Sequence, residues 1–108
     1  MISSIDLNAY MNVKKIFVGK DFGEEVRLKS NIDFKFKTSD LVMLIIPHNV
    51  NAINPSFFEQ FISNVVRDIG VDMFKTKLSV MHYGNYNYNS VVDESISRIK
   101  RDMNRNAK

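Results

Sequence analysis

Two histidines, His48 and His82, are the side chains in this sequence best suited to acid–base chemistry or metal binding. Each follows a predicted strand, and functional sites in α/β proteins often lie at strand ends. A zinc site needs about three protein ligands, and the sequence places no third ligand beside the histidines. Cysteine is absent, which excludes thiolate metal sites, cysteine nucleophiles and disulfides. We therefore predict two ordinary strand-end histidines, no metal site and no cofactor.

Other patterns that would indicate catalysis are also missing from the sequence. The four glycines match neither Gly-x-Gly-x-x-Gly nor a Walker phosphate loop. Glu24 and Glu25 are adjacent, so on a helix their side chains diverge and do not form an acid–base pair. We predict that this protein is not an enzyme.

The most unusual local composition is the tyrosine- and asparagine-rich stretch 83–89. Tyr83, Tyr86 and Tyr88 alternate there with three asparagines. Tyrosine and asparagine make adaptable contacts in protein-binding loops, and tyrosines also stack on exposed nucleic-acid bases. A third interpretation is that the rings close the edge of the core. The sequence favours protein binding and core closure equally, and base stacking less.

The charge balance permits a nucleic-acid partner but does not indicate one. The net charge is +3, from 15 basic and 12 acidic residues, and the basic residues cluster only in the tail that begins near Arg98. The longest apolar run, 41–47, has seven residues, whereas a membrane span needs about 20. The N-terminus lacks the pattern of a signal peptide. These features predict a cytoplasmic protein that has no contact with membranes.

Alternating strands and helices position these residues within a single domain of 108 residues. The run Leu41–Ile46 is apolar at every position, which predicts a strand buried on both faces. Asn54 and Pro55 mark the start of a helix that extends to Ile69, because asparagine caps the free amides and proline suits the first turn. Gly70 then closes that helix.

The remaining elements follow from weaker patterns. Short strands are predicted at 15–18 and 78–82, and a helix at 21–29. The alternation of Ile32, Phe34 and Phe36 with charged residues predicts a strand, or else the end of the preceding helix running into an extended link. A capping pattern at Ser90 predicts the start of the last helix, and residues 104–108 are expected to fray.

The segment 54–61, Asn-Pro-Ser-Phe-Phe-Glu-Gln-Phe, followed by Val-Val-Arg-Asp-Ile-Gly at 65–70, resembles the STAS-like family of bacterial domains. Residues 22–26 are similar to the family's first helix, and 78–80 to its next strand. The resemblance covers roughly residues 20–103. It implies one α/β domain over 1–108, with a mixed β-sheet and helices packed mainly on one side.

The resemblance also implies a docking surface. STAS domains of anti-sigma-factor antagonists bind a histidine-kinase-like ATPase, which switches them off by phosphorylating a serine at the start of the equivalent helix. The corresponding surface here is 51–58. Pro55 occupies the position of that serine and has no hydroxyl, so the usual switch cannot operate there. Ser56, one residue further, is the candidate phosphorylation site, because helix N-termini favour anions.

We therefore expect a non-catalytic regulatory module that binds a protein, such as an ATPase, a signalling protein or a defence component. The candidate contact residues are Asn51, Asn54, Ser56, Phe57, Tyr83, Tyr86 and Tyr88. Phe57, Phe58 and Phe61 are core residues by type, but together they span more than a narrow stripe, and an interpretation that leaves Phe57 at the surface makes it an anchor for the partner. One alternative is an inhibitor, encoded by a phage or mobile element, that blocks a host defence complex. A weaker alternative is single-stranded nucleic-acid binding. A homodimer through the apolar face of the long helix also stays open.

Overall fold

The computed structural model describes residues 1–82 and 88–106. The strands are β1 (Ile2–Asp6), β2 (Ile16–Phe17), β3 (Leu41–Ile46), β4 (Ala52–Ile53) and β5 (Leu78–His82). The helices are α1 (Lys20–Ser30), α2 (Ile32–Thr38), α3 (Pro55–Ile69), α4 (Val71–Lys77) and α5 (Tyr88–Asn106), and a 3₁₀ turn covers Leu7–Tyr10. None of the described helices combines the length and the apolar character needed to cross a membrane.

The strands form two parallel sheets, which confirms the predicted α/β class. The larger sheet has the order β1-β3-β5, and the smaller one pairs β2 with β4. A mixed sheet was expected, but all three pairings among the described strands are parallel. The reason is that helices separate successive strands of the larger sheet, and such crossovers return the chain in the same direction.

The chain repeats one layout in its first two thirds. A long strand, a short strand, a long helix and a seven-residue helix occur in β1-β2-α1-α2 and again in β3-β4-α3-α4. A residue with positive φ joins the two helices of each unit, Asn31 at 58° and Gly70 at 87°. Because right-handed crossovers lead from β1 to β3 to β5 in one direction, they place their helices on the same side of the sheet.

The larger sheet is accordingly buried on one face. Val42, Leu44 and Ile46 of β3 are buried in the core. Leu41, Met43 and Ile45 alternate with them, are only half-buried and do not join the core. The expectation that β3 is buried on both faces is therefore wrong, because the order of the strands places no crossover helix on the second face.

The long helix α3 forms as the sequence predicts. The Asn54 side chain accepts a hydrogen bond from the Ser56 amide at 2.9 Å, Pro55 occupies the first turn, and Gly70 follows the last residue. The apolar stripe packs against α1 and α5, so α3 forms the centre of the helical layer. Its ring Phe57 lies 5.1 Å from Phe17 and 5.4 Å from Phe22 between ring centroids.

The strand interpretation of the segment around Phe34 is wrong. This segment is the helix α2, in which Ile32 and Phe36 are buried and Phe34 is 57% exposed. The alternation that suggested a strand also contains a spacing of four, which places Ile32 and Phe36 on one helix face. Phe36 stacks on Phe74 of α4 at 5.2 Å, and this contact selects the helical arrangement.

The last helix also differs from its predicted bounds. It includes Tyr88, two residues before the expected start, so Ser90 lies inside the helix and not at the expected first position. The helix continues to Asn106, although fraying was expected from residue 104. Its apolar side, which includes Val92, Ile96 and Ile99, packs on α3.

Candidate protein-docking surface

Two segments that are distant in sequence meet at the start of α3. Strand β2 pairs with β4 in the register Ile16 to Ala52. Two backbone hydrogen bonds extend this pairing: the Asn51 amide donates to the Lys15 carbonyl at 2.7 Å, and the Asn54 amide donates to the Phe17 carbonyl at 2.8 Å. Residues 13–20 and 51–56 therefore form one continuous surface, which we call the helix-start surface.

Side-chain hydrogen bonds fasten the two segments further. The Asn51 amide group donates to the Lys14 carbonyl at 3.1 Å. The Ser56 hydroxyl accepts a hydrogen bond from the Gly19 amide at 3.0 Å, which ties the start of α1 to the start of α3. Asn12 braces Ile16 through two hydrogen bonds of 2.8 and 3.1 Å. The surface is thus held by its own contacts before any partner arrives.

Exposed apolar side chains stand on this surface beside positive charges. Val13 is 97% exposed and Val18 is 43% exposed. Lys14, Lys15 and Lys20 are exposed around them. Lys15 has a φ of 58°, which costs a residue with a side chain roughly 1 kcal/mol. Backbone strain of this kind concentrates at functional sites, so the strained turn adds a second indication to the exposed valines.

Three of the residues predicted for docking lie together on the helix-start surface, and a fourth is buried in the core. Asn51 and Asn54 are exposed and Ser56 is half-buried, all on the helix-start surface. Phe57 is fully buried, so the expectation that it stays at the surface as an anchor is wrong. The helix turns this ring inward between Phe17 and Phe22, away from solvent.

Sequence reasoning missed the exposed valines of the helix-start surface. Val13 and Val18 flank a short β-prone run, and their types alone suggest burial. The one local signal is that Val13 is followed by two lysines. These valines lie near Asn51 and Asn54 only because β2 pairs with β4. Strands of two residues are too short to be recognised from the sequence.

The tyrosines give a mixed result. Tyr83 and Tyr86 lie outside the described residues. Tyr88 is buried at the start of α5, and its ring meets His82 edge-on at 4.6 Å between centroids. The prediction that Tyr88 offers its ring to a partner is therefore wrong, because the ring already packs against the end of β5. The core-closure interpretation holds for this tyrosine.

The two histidines do not build a metal centre with their surroundings. His48 lies in the exposed turn after β3, and His82 ends β5. Across residues 1–82 and 88–106, no three histidine or acidic side chains converge as metal ligands.

The basic tail lies along a charged groove between α3 and α5. The groove has a volume of about 300 Å³ and is lined by Glu59, Glu94, Arg98, Arg101, Asp102 and Arg105. Arg98 pairs with Glu94 at 3.2 Å, and Asp102 pairs with Arg67 at 2.8 Å. Because acidic side chains alternate with the arginines, this groove lacks the excess positive charge that binds a phosphate backbone.

Comparison with known proteins finds no family model, no curated protein and no solved structure that matches this chain. The resemblance to the STAS-like family therefore stays a prediction drawn from residues 54–70 and their flanks. The residues exposed on the helix-start surface are therefore the basis for a functional proposal.

Proposed function

We propose that this chain is a non-catalytic protein-interaction domain that docks through its helix-start surface. One observation carries the proposal: Val13 and Val18 are exposed on either side of β2, and hydrogen bonds already hold this strand and the turn before it in place. Preorganisation of this kind lowers the entropic cost of binding, because the turn need not be ordered by the partner. Exposed apolar side chains beside ordered polar groups are the usual composition of an interface.

In the proposed complex the valines enter an apolar depression on the partner. The exposed side chains of Asn51 and Asn54 lie at the rim, where the Asn51 amide oxygen and the Asn54 NH2 group, which the hydrogen bonds above do not use, set the orientation of the partner. Lys14, Lys15 and Lys20 surround the contact, so the partner carries an acidic rim. Charges at a rim mainly accelerate association and make it dependent on salt.

The partner class comes from the resemblance to STAS-like domains. That resemblance marks residues 51–58 as the docking region and a histidine-kinase-like ATPase as the partner. The helix-start surface contains residues 51–56 of this region, which supports the proposal. The regulatory effect would then be occupation of the ATPase surface by a domain that performs no chemistry itself.

Phosphorylation of Ser56 remains part of the proposal and has a defined structural consequence. The hydroxyl oxygen accepts the Gly19 amide at 3.0 Å and is half-buried. A phosphate there would displace this hydrogen bond and add negative charge among the lysines. Incubation with the ATPase partner should produce a phosphate mass shift that Ser56→Ala abolishes. Absence of a shift in the wild type would remove the switch and leave docking unaffected.

The test of docking compares Val13→Asp with Leu28→Asp. Both residues are highly exposed, so neither change should unfold the domain, and Leu28 lies on α1 about 12 Å beyond its first residue. A photo-crosslinker placed at position 18 captures the partner in the native host. The partner is then purified, and its affinity for each variant is measured by calorimetry.

We expect Val13→Asp to weaken this affinity at least tenfold and Leu28→Asp to leave it unchanged. Equal affinities for wild type and Val13→Asp would refute docking through this surface. A captured ATPase supports the regulatory form of the proposal. A captured host defence protein instead would assign the same surface to an inhibitor.

A further inference from the structure

The face of the larger sheet that points away from the helices carries an apolar stripe, flanked by Ser4, Asp6 and Ser79, which the strand register places on the same face. Leu41, Met43 and Ile45 form its centre, are half-buried and stand outside the core. The strand register places Ile2 beside Leu41 and Met81 beside Ile45, and these flanking side chains are 67% and 39% exposed. We call these five side chains the open face.

The sequence of β3 is that of a strand covered on both sides. A strand with one wet face alternates apolar and polar residues, whereas β3 reads Leu-Val-Met-Leu-Ile-Ile without a polar residue. Parallel strands of this composition occur almost always in sheets covered on both faces. The described part of the chain covers one face only, so the apolar pattern points to a cover supplied from outside.

The size of the open face decides between a second copy and a smaller partner. Three strands about 4.8 Å apart and five residues long give a face of about 14 by 17 Å, or roughly 240 Å². A stable dimer buries about 800 Å² on each partner, so two stacked open faces fall well short. A single helix about 10 Å across and three turns long, about 16 Å, matches this footprint.

The chemistry at one end of the open face specifies the partner helix further. A pocket of about 260 Å³ opens at the carboxyl ends of β1 and β3, and Ile45 belongs to both the pocket and the open face. Its lining residues are Asp6, Asn8, Ile45, Pro47, His48 and Asn49.

One hydrogen-bond acceptor in this pocket is left for a ligand. Asp6 uses one carboxylate oxygen to accept the Asn8 amide at 2.9 Å, which leaves its second oxygen for a ligand. A carboxylate oxygen suits the donor groups of a lysine or arginine.

We propose that the open face binds an amphipathic α-helix of about three turns from a partner protein. The apolar stripe of that helix lies over Met43, and a lysine or arginine at its end enters the pocket to meet Asp6. This surface shares no residue with the helix-start surface, and the inference does not rest on docking there.

The experiment places a photo-crosslinking residue at position 43 and, as a control, at position 28 on α1. Crosslinking is performed in the native host, and the attached peptides are sequenced by mass spectrometry. Position 43 should capture a segment with apolar residues at spacings of three and four and a basic residue at one end. A segment of this same chain, an extended strand, or no product above that of position 28 would overturn the proposal.

The captured segment is then synthesised, and its binding to the purified full chain is measured. The peptide should gain helical circular dichroism on binding. Met43→Asp should weaken binding at least tenfold, and Asp6→Asn about fivefold with a loss that shrinks as salt rises. Binding that is unchanged by both substitutions would overturn the assignment.

Two further variants serve as controls, one for misfolding of Met43→Asp and one for binding at the helix-start surface. Met81→Asp lies on a neighbouring strand and is more exposed than Met43, so it reports on the open face if Met43→Asp fails to fold. Val13→Asp on the helix-start surface should leave the peptide affinity unchanged. A tenfold loss with Val13→Asp and none with Met81→Asp would move the peptide to the helix-start surface and refute the open-face site.

Discussion

The contact between α1 and α3 depends on the absence of a side chain at Gly23. A Cβ atom added there would lie 2.4 Å from the Phe57 carbonyl oxygen and 2.9 Å from the Gln60 Cβ. Ordinary contacts of a Cβ begin near 3.4 Å, so Gly23→Ala forces α1 away from α3 by about 1 Å. The obstacle is backbone and cannot rotate aside.

Two opposing effects determine how much Gly23→Ala lowers the unfolding free energy. Replacing glycine by alanine inside a helix gains about 1 kcal/mol. Overpacking of a filled interface costs typically about 1–3 kcal/mol, and a backbone obstacle places this site near the upper end. Displacement of α1 also loosens the stacking of Phe22 and Phe17, whose rings are 5.5 Å apart. The net loss should be about 1–2 kcal/mol of unfolding free energy.

The assay is urea unfolding of wild type, Gly23→Ala and the control Glu25→Ala, followed by circular dichroism. Glu25 is exposed on the same helix, so its substitution should change stability by less than about 0.5 kcal/mol. For Gly23→Ala we expect a lower urea midpoint and a fall in Tm of roughly 5–15 °C. A Gly23→Ala protein as stable as the wild type, or more stable, would refute the close packing of α1 on α3.

Three further outcomes are expected. Asn54→Ala should lower the unfolding free energy by about 1 kcal/mol, because the cap of α3 is lost. The urea midpoint of this variant is compared with those of the wild type and of Asn54→Ser, which keeps a capping side chain. Equal midpoints for Asn54→Ala and the wild type would contradict the prediction. Phe36→Ser should lower the unfolding free energy by about 3–5 kcal/mol, and Phe34→Ser should lower it by less than about 0.5 kcal/mol. Thermal melts measure both variants, and a similar loss of stability in the two would restore the strand interpretation. The hydrogen bond and the charge of the Met1 amino group lower the pKa of Asp40 below 3.8. This contribution to stability is present above pH 3.8 and disappears as the pH falls through the lowered pKa; an NMR titration should show the lowered pKa, rising towards 3.8 in high salt, and an ordinary pKa at low salt would exclude the ion pair.

The sequence by itself was sufficient for the elements whose signals are local. The start and end of α3 depend on Asn54, Pro55 and Gly70, each of which acts within one helical turn, so the bounds 55–69 could be predicted. The strand β3 ends at Pro47 for an equally local reason, since proline donates no hydrogen bond to a sheet. The α/β class follows from the alternation of such segments.

Local patterns failed where two periodicities coincide. Ile32, Phe34 and Phe36 satisfy the spacing of a strand, and the first and last of them also satisfy that of a helix. The tertiary contact of Phe36 with Phe74 decided for the helix, and a residue so distant in sequence leaves no mark on the local pattern. The candidate contact residues divide in the same way. The sequence indicated the exposed polar positions Asn51 and Asn54, but tertiary packing placed the ring of Phe57 in the core.

Only the tertiary structure decided which surfaces stay exposed. Burial at a position depends on what packs against it from elsewhere in the chain, so Phe57 lies in the core while Val13 stands in solvent. The strand order is also a global property, and because β1, β3 and β5 follow one direction, the helices cover one face of the sheet. The sequence determined that β3 is apolar on both sides, and the topology places the described helices over only one of those sides.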